Sequence, residues 1–126
     1  MKIAFFVLVF LLISIPVKAQ DRNIADEKFW VTSTLLIGST IYDVESTYFA
    51  LGKCGICREA NPVMRPFVEA GRPWLYTIQG SVDAGIIFTS YEMKKRHNKW
   101  WWVLPVAVSA AHLTAGTRNI KVAISF

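Results

Sequence analysis

Residues 29–51 have the sequence FWVTSTLLIGSTIYDVESTYFAL, and this stretch decides the fold class of the chain. As an α-helix it would be about 34 Å long at ~1.5 Å per residue, enough to cross the ~30 Å hydrocarbon core of a bilayer. Phe29 and Trp30 stand at one end, where aromatic side chains anchor membrane helices at the lipid–water interface. The stretch therefore predicts a transmembrane helix.

Two further stretches have the same character. Residues 74–93 follow Arg72 and end before a basic run that starts at Lys94, and residues 100–117 begin with three tryptophans and end before Arg118. Charged boundaries and interfacial tryptophans are typical of membrane spans. The sequence therefore predicts an all-α fold, a small integral membrane helical bundle of three transmembrane helices. The alternative is a soluble bundle in which these helices are buried.

The composition of the chain favours the membrane class. Of the 126 residues, 53% are hydrophobic and only 18% are charged, and the mean hydropathy is +0.35. A soluble domain of this length would have to bury almost all of its apolar side chains, with little polar surface left for solubility. No basic stripe interleaved with stacking aromatics is present, so the sequence predicts no nucleic-acid partner.

The first residues have the pattern of a secretory signal. Lys2 precedes an apolar run over residues 3–15, Pro16 ends that run, and small residues follow it. This pattern predicts a cleaved signal peptide over residues 1–19, followed by a single three-helix transmembrane domain over residues 20–126. The alternative is an uncleaved anchor helix, since Lys18 is unusual beside a cleavage position.

Each predicted span carries polar side chains on one helical face. They are Ser39, Thr40, Asp43, Ser46 and Thr47 in the first span, Gln79 and Asp83 in the second, and Ser109, His112 and Asn119 in the third, where Gly116 shares the same face. An ionisable group inside a bilayer costs several kcal/mol unless it has a partner, so these faces are expected to meet in a shared interior. Asp43, Asp83 and His112 are the ionisable members of this interior.

The loop after the first span supplies the expected rim of that interior. Pro62 and Pro66 oppose a regular helix and shape a loop that carries Glu59 and Asn61 at the membrane surface. The candidate polar intramembrane site comprises Asp43, Ser46, Thr47, Glu59, Asn61, Asp83, His112 and Asn119. Such a site could have a purely structural role and hold the helices together. It could also relay protons, act as a general base, or bind a metal ion through imidazole and carboxylates. These residue types specify neither a metal nor a cofactor.

Cys54 and Cys57 form a C-x-x-C pair in the same loop and are the only cysteines. Such a pair can be a redox dithiol, half of a zinc site that a second copy completes, or a local disulfide. The redox alternative lacks the βαβ context that normally activates such a motif. All three alternatives stay open.

These motifs resemble a known class of proteins. The pattern D-x-x-S-T at residues 43–47, the pattern E-A-N-P at residues 59–62 and an acid in the next span are similar to those of small bacterial inner-membrane protein families of unknown function. The resemblance covers about residues 30–119, and the C-x-x-C pair departs from it. It implies a multi-pass location in the cell inner membrane and an importance of the two motifs, and it implies no reaction.

Three functions are compatible with these features. The first is a non-catalytic assembly or interaction subunit that packs within the lipid bilayer against itself, as a homo-oligomer, or against another membrane protein. The second is a membrane-embedded metal- or proton-dependent activity that uses Asp43, Glu59, Asp83 and His112. The third is a thiol redox function of the cysteine pair. The sequence favours them in that order, and it leaves open whether the protein is an enzyme.

Overall fold

The computed structural model describes residues 23–126, and this part of the chain is all-α. Its helices are α1 (Glu27–Lys53), α2 (Arg65–Glu69), α3 (Arg72–Lys95) and α4 (Val103–Ile124). The three long helices form an up-down-up bundle in which α3 runs antiparallel to α1 and α4. The predicted all-helical bundle is therefore confirmed for the described residues.

The two termini of α1 are set by local chemistry. The side chain of Asp26 caps the helix by accepting a hydrogen bond from the backbone N–H of Phe29 at 3.0 Å. Cys54 ends the helix in an extended conformation, and its N–H still donates to the carbonyl of Ala50. At the start of α3, Gly71 has φ +105°, which other residues rarely adopt, and Pro73 follows in the first turn.

The boundaries of α4 differ from those predicted from the sequence. The tryptophans at 100–102 form a turn before the helix, because the Asn98 side chain accepts a hydrogen bond from the N–H of Trp100 at 2.9 Å. The helix also continues past residue 117 to Ile124, with Arg118 exposed and Ala123 buried. A charged residue can mark the edge of an apolar environment without ending the helix.

Helices α1 and α4 have the most extensive contact in the bundle, and α3 packs against both to a lesser extent. Small side chains allow the close approach of α1 and α4. A Cβ atom on Gly116 would lie 2.5 Å from two ring carbons of Tyr42 and 3.2 Å from Ser46 Oγ. Only glycine therefore fits at this crossing without a shift of the Tyr42 ring.

A small apolar core lies at the end of the bundle where the loop after α1 is located. It is built from Val44, Val68 and Leu75, and the hydroxyl of Tyr48 donates to the carbonyl of Val68 at 3.0 Å. The short helix α2 carries Val68 and so attaches the loop to α1 and α3. This attachment positions the loop at one end of the polar interior.

Two sequence predictions concern the membrane directly. The predicted signal peptide, residues 1–19, lies outside the described residues. Measured by hydropathy and charge, none of the helices within residues 23–126 is both long and apolar enough to cross a membrane.

Candidate functional site

A polar network joins α1 to α4, and Asp43 is its centre. The Oδ2 atom of Asp43 lies 2.7 Å from Nδ1 of His112, and both side chains are largely buried. The Oδ1 atom of the same carboxylate lies 3.4 Å from the amide nitrogen of Asn119. Both oxygens of Asp43 therefore have a partner on α4.

The hydroxyl groups beside Asp43 complete this network. Asn119 donates to Thr47 Oγ1 at 2.9 Å and approaches Ser46 Oγ at 3.3 Å. The hydroxyls of Ser46 and Thr47 in turn donate to the backbone carbonyl of Asp43, each at 2.9 Å. We call Asp43, Ser46, Thr47, His112 and Asn119 the α1–α4 network.

Asp83 of α3 has a different environment. Only 5% of its surface is exposed, yet its Oδ1 atom has no hydrogen-bond partner. One turn earlier on the same helix, the buried Oε1 atom of Gln79 also lacks a partner, as does the facing hydroxyl of Thr40 on α1. Buried polar atoms without partners are rare in folded proteins, and each one calls for an explanation.

A cavity of about 330 Å³ lies beside these groups. Its wall combines ionisable and amide side chains with apolar ones, and consists of Asp43, Asn61, Met64, Ile78, Gln79, Val82, Asp83, Ala111, His112 and Ala115. The wall thus draws on α1, α3, α4 and the loop after α1. It contains two carboxylates and no lysine or arginine.

The loop residues of the predicted site divide between the cavity and the surface. Asn61 lines the cavity, and its Oδ1 accepts a hydrogen bond from the N–H of Val63 at 3.0 Å. Glu59 is not part of the cavity wall. Its side chain instead accepts a hydrogen bond from the N–H of Asn61 at 2.9 Å and so stabilises the turn that holds Asn61.

The structure thus divides the eight predicted site residues into three groups. Five belong to the α1–α4 network, Asp83 and Asn61 lie around the adjacent cavity, and Glu59 supports the loop. Within residues 23–126, no group of three or more His, Cys, Asp or Glu side chains is close enough to hold a metal ion. Asp43, Asp83 and His112 therefore do not lie close enough together to form a three-ligand metal site.

Cys54 and Cys57 form a disulfide, with their Cα atoms 5.3 Å apart. Of the three alternatives for this pair, the structure contains the local disulfide. The bond lies where α1 ends, and the N–H of Cys57 donates to the carbonyl of Cys54 at 3.1 Å. The disulfide therefore closes the turn that leads the chain from α1 into the loop.

Two ion pairs outside the predicted site join α1 to α3. Glu45 accepts hydrogen bonds from Arg72 at 3.3 Å and from the hydroxyl of Tyr76 at 2.8 Å. At the opposite end, Lys94 bonds to Asp26. The ammonium of Lys94 and the backbone N–H of Phe29 hold the pKa of the Asp26 carboxyl below its usual value.

The sequence offers a signal for the first of these pairs. Glu45 points away from the polar stripe of α1, so it needs a partner that is not on α4. The second pair lacks such a signal, because Asp26 precedes the helix and its partner is 68 residues away in the chain.

Comparison with known proteins identifies a family. A model of the family described as Domain of unknown function (DUF5658) matches residues 34–122. This range contains the α1–α4 network and every residue of the cavity wall. Neither the curated proteins nor the solved structures provide a match to the chain.

Proposed function

The chain belongs to the DUF5658 family of unknown function, and we propose that it is a small multi-pass membrane protein that acts as a non-catalytic assembly subunit. In this proposal the three long helices cross the bilayer of the cell inner membrane, and one face of α3 packs against a second copy of the chain. The distribution of side chains between the interior and the outer surface carries the proposal.

That distribution differs from the one found in a water-soluble bundle, although Leu36, Val44 and Leu75 are buried. The buried side chains of the long helices are mostly small and include Ser33, Ser39, Thr40, Ser46, Thr47, Ser90 and Ser109. Large apolar side chains cover the outside, as in Trp30, which is 60% exposed, and Phe88, which is 65% exposed. Water disfavours such an outer surface, whereas lipid accepts it, and small interior residues let membrane helices approach closely.

Several interior hydroxyls are compatible with a bilayer because they donate within the protein and need no water, whereas those of Thr40 and Ser90 have no partner within residues 23–126. Ser39 donates to the carbonyl of Leu36 at 2.8 Å, within its own helix. Ser109 does the same to the carbonyl of Pro105 at 2.7 Å. The mean hydropathy of a whole helix is lowered by these inward-facing hydroxyls. Lipid, however, would contact only the outer face of the helix. Polar groups paired inside the protein are tolerated at membrane depth.

The outer face of α3 supports self-association. Gly80, Ser81, Ala84 and Gly85 are all exposed there, and apart from the adjoining residues and the backbone of α3 itself, no atom lies within 4 Å of a Cβ built on either glycine. The Ser81 hydroxyl already donates to the carbonyl of Thr77 at 2.7 Å, so it leaves no unpaired polar group in an apolar contact. Small, internally satisfied faces of this kind are typical of packed membrane helices.

Two experiments test the proposal, and the first concerns membrane insertion. Membranes from cells that express the full chain are washed with alkaline carbonate, which releases peripheral proteins. We expect the protein to stay in the membrane pellet, because its outer surface is apolar. Recovery in the soluble fraction would contradict the membrane part of the proposal.

The second experiment measures the mass of the purified protein in mild detergent by light scattering. We expect the wild type to be a dimer or a larger oligomer, and Gly85→Leu to shift it toward the monomer because a bulky side chain blocks close approach. Gly38→Leu is the matched control, since this glycine of α1 also has open space around it. A monomeric wild type, or equal dissociation by the control, would refute self-association through α3.

One observation favours a second candidate function, proton transfer by the Asp43–His112 pair. The carboxylate holds Nδ1 of the imidazole at 2.7 Å and so orients the ring, while His112 also lines the cavity. The test is proton flux into vesicles that contain the purified protein, measured with a pH-sensitive dye. Proton transfer predicts a flux that His112→Gln abolishes, and a flux equal to that of protein-free vesicles would exclude it.

A further inference from the structure

In the part of the chain that the structure describes, Asp83 is the interior acid that forms no salt bridge. The carboxylate of Asp43 is matched by His112 and Asn119, whereas the Oδ1 atom of Asp83 is buried without a hydrogen bond. Burying a carboxylate is costly unless a cation or several donors replace the lost water. Among residues 23–126, the side chains that share the cavity with Asp83 include no lysine or arginine, and the one basic group, His112, is already bonded to Asp43.

The cavity has a polar end and an apolar wall. Asp83 and Gln79 provide carboxylate and amide oxygens, and each has a buried oxygen that no protein group uses. The apolar wall consists of Met64, Ile78, Val82, Ala111 and Ala115. A volume of about 330 Å³ is within the range of ~300–1,000 Å³ that is typical of small-molecule sites.

These features define the chemistry of a ligand. An ammonium group carries three hydrogen-bond donors and a positive charge, which match the two free acceptor oxygens and the unpaired carboxylate. A short alkyl chain attached to it would lie against the apolar wall. A bare metal ion fits less well, because no group of three or more potential ligands is present in residues 23–126.

We propose that the cavity between α1, α3 and α4 binds a small alkylammonium cation, with Asp83 as its counter-ion and Gln79 as a hydrogen-bond acceptor. The wall of the cavity comes from a single chain, so this site does not depend on the proposed self-association. Failure of the oligomer experiment and failure of ligand binding would therefore be separate results.

Isothermal titration calorimetry of the full-length protein in detergent tests the site, with n-butylammonium chloride as the probe. We expect saturable binding with one cation per chain, and an affinity at least about tenfold weaker for Asp83→Asn, because the desolvated charge pair is lost. Glu92→Gln is the matched control, since it removes one negative charge from the same helix outside the cavity wall. This control should bind like the wild type.

A second variant separates binding from folding. Ala111→Phe fills the cavity but keeps both carboxylates, and it should abolish binding while the helical content measured by circular dichroism is unchanged.

Titrations with n-butanol and with zinc chloride complete the test. Equal binding of n-butanol would overturn the role of the charge, and Asp83-dependent binding of zinc without binding of butylammonium would replace the proposal by a metal site. Absence of saturable butylammonium binding, as expected for a cavity that only holds water, would refute it.

Discussion

The bundle has two sides that each contain one interior aspartate, and they differ in how that aspartate is satisfied. On the side where α1 meets α4, Asp43 has partners for both carboxylate oxygens. On the side of α3, Asp83 is more closed off from solvent than Asp43 but has an oxygen without a partner. Both carboxylates line the same cavity, but that of Asp43 is held in the α1–α4 network, whereas that of Asp83 has an unpaired oxygen.

The packing of the two sides differs in the same way. A methyl group at Gly116 of α4 would clash with the Tyr42 ring of α1, whereas Gly80 and Gly85 of α3 have open space. Helices α1 and α4 are closely packed against each other, whereas α3 has an exposed face with open space at which another molecule could pack. We expect mutations on the first side to affect stability, and mutations on the second side to affect binding or assembly.

The largest expected effect is that of Gly116→Leu. Overpacking the α1–α4 contact should lower the free energy of unfolding by about 3 kcal/mol, because the new side chain meets the Tyr42 ring. Thermal unfolding in detergent, followed by circular dichroism, measures the change. Gly38→Leu on the outer face of α1 should leave the midpoint nearly unchanged, and equal destabilisation by both variants would show that the close contact is not required.

The next effect compares the two aspartates directly. Asp43→Asn weakens a charge-assisted contact with His112 and should cost about 1–2 kcal/mol in the same unfolding assay. Asp83→Asn removes a buried carboxylate that forms no salt bridge and has an unpaired oxygen, so the stability of the ligand-free protein should stay the same or rise. Equal losses for the two variants would mean that the two carboxylates are equally well paired in the folded protein.

A smaller effect is expected for Asn119→Ala. This variant removes the donor to Thr47 that closes the network, and hydrogen bonds between membrane helices contribute about 0.6 kcal/mol on average. Thr114→Ala is the control, because its hydroxyl is exposed and donates only to the carbonyl of Ala110 in its own helix. An equal change in the unfolding midpoint for both variants would argue against a bond across the two helices.

The smallest effect concerns the link between α1 and α3 at Asp26. The pKa of this carboxyl is lowered in the folded protein, so its charge contributes stability above the unfolded pKa, near 3.8, and that contribution is lost as the pH falls through the folded pKa. Asp26→Asn keeps a capping side chain but removes the charge. We expect the variant to have a slightly lower midpoint at neutral pH and the wild-type midpoint at strongly acidic pH; a difference independent of pH would contradict this.

The helical spacing of polar residues predicted much of the interior. Asp43, Ser46 and Thr47 lie on one face of any α-helix, and the structure has all three in contact with α4. Gln79 and Asp83 are one turn apart, and both line the cavity. Such patterns depend only on the local geometry of a helix, which is the same wherever the helix packs.

Other features could not be derived from spacing. The position of Glu59 in the loop predicted that its side chain lies on the rim of the site. The side chain instead accepts a hydrogen bond from the N–H of Asn61 and stabilises the loop. The third helix was expected over residues 100–117, but it spans Val103–Ile124, since a side-chain-stabilised turn precedes it and its charged last turns remain helical. These differences arise from individual hydrogen bonds that a pattern of residue types does not specify.

The sequence by itself determined that the chain is a bundle of helices with polar faces, because periodicity along each helix is a local property. From the sequence alone, the environments of Asp43, Asp83 and His112 could not be distinguished, since each is an ionisable residue within an apolar helix. Only the tertiary structure decided that Asp43 pairs with His112 while Asp83 faces a cavity without a partner. The physical reason is that a residue turns through about 100° per position around a helix, so small changes in register and rotation between helices decide which groups meet.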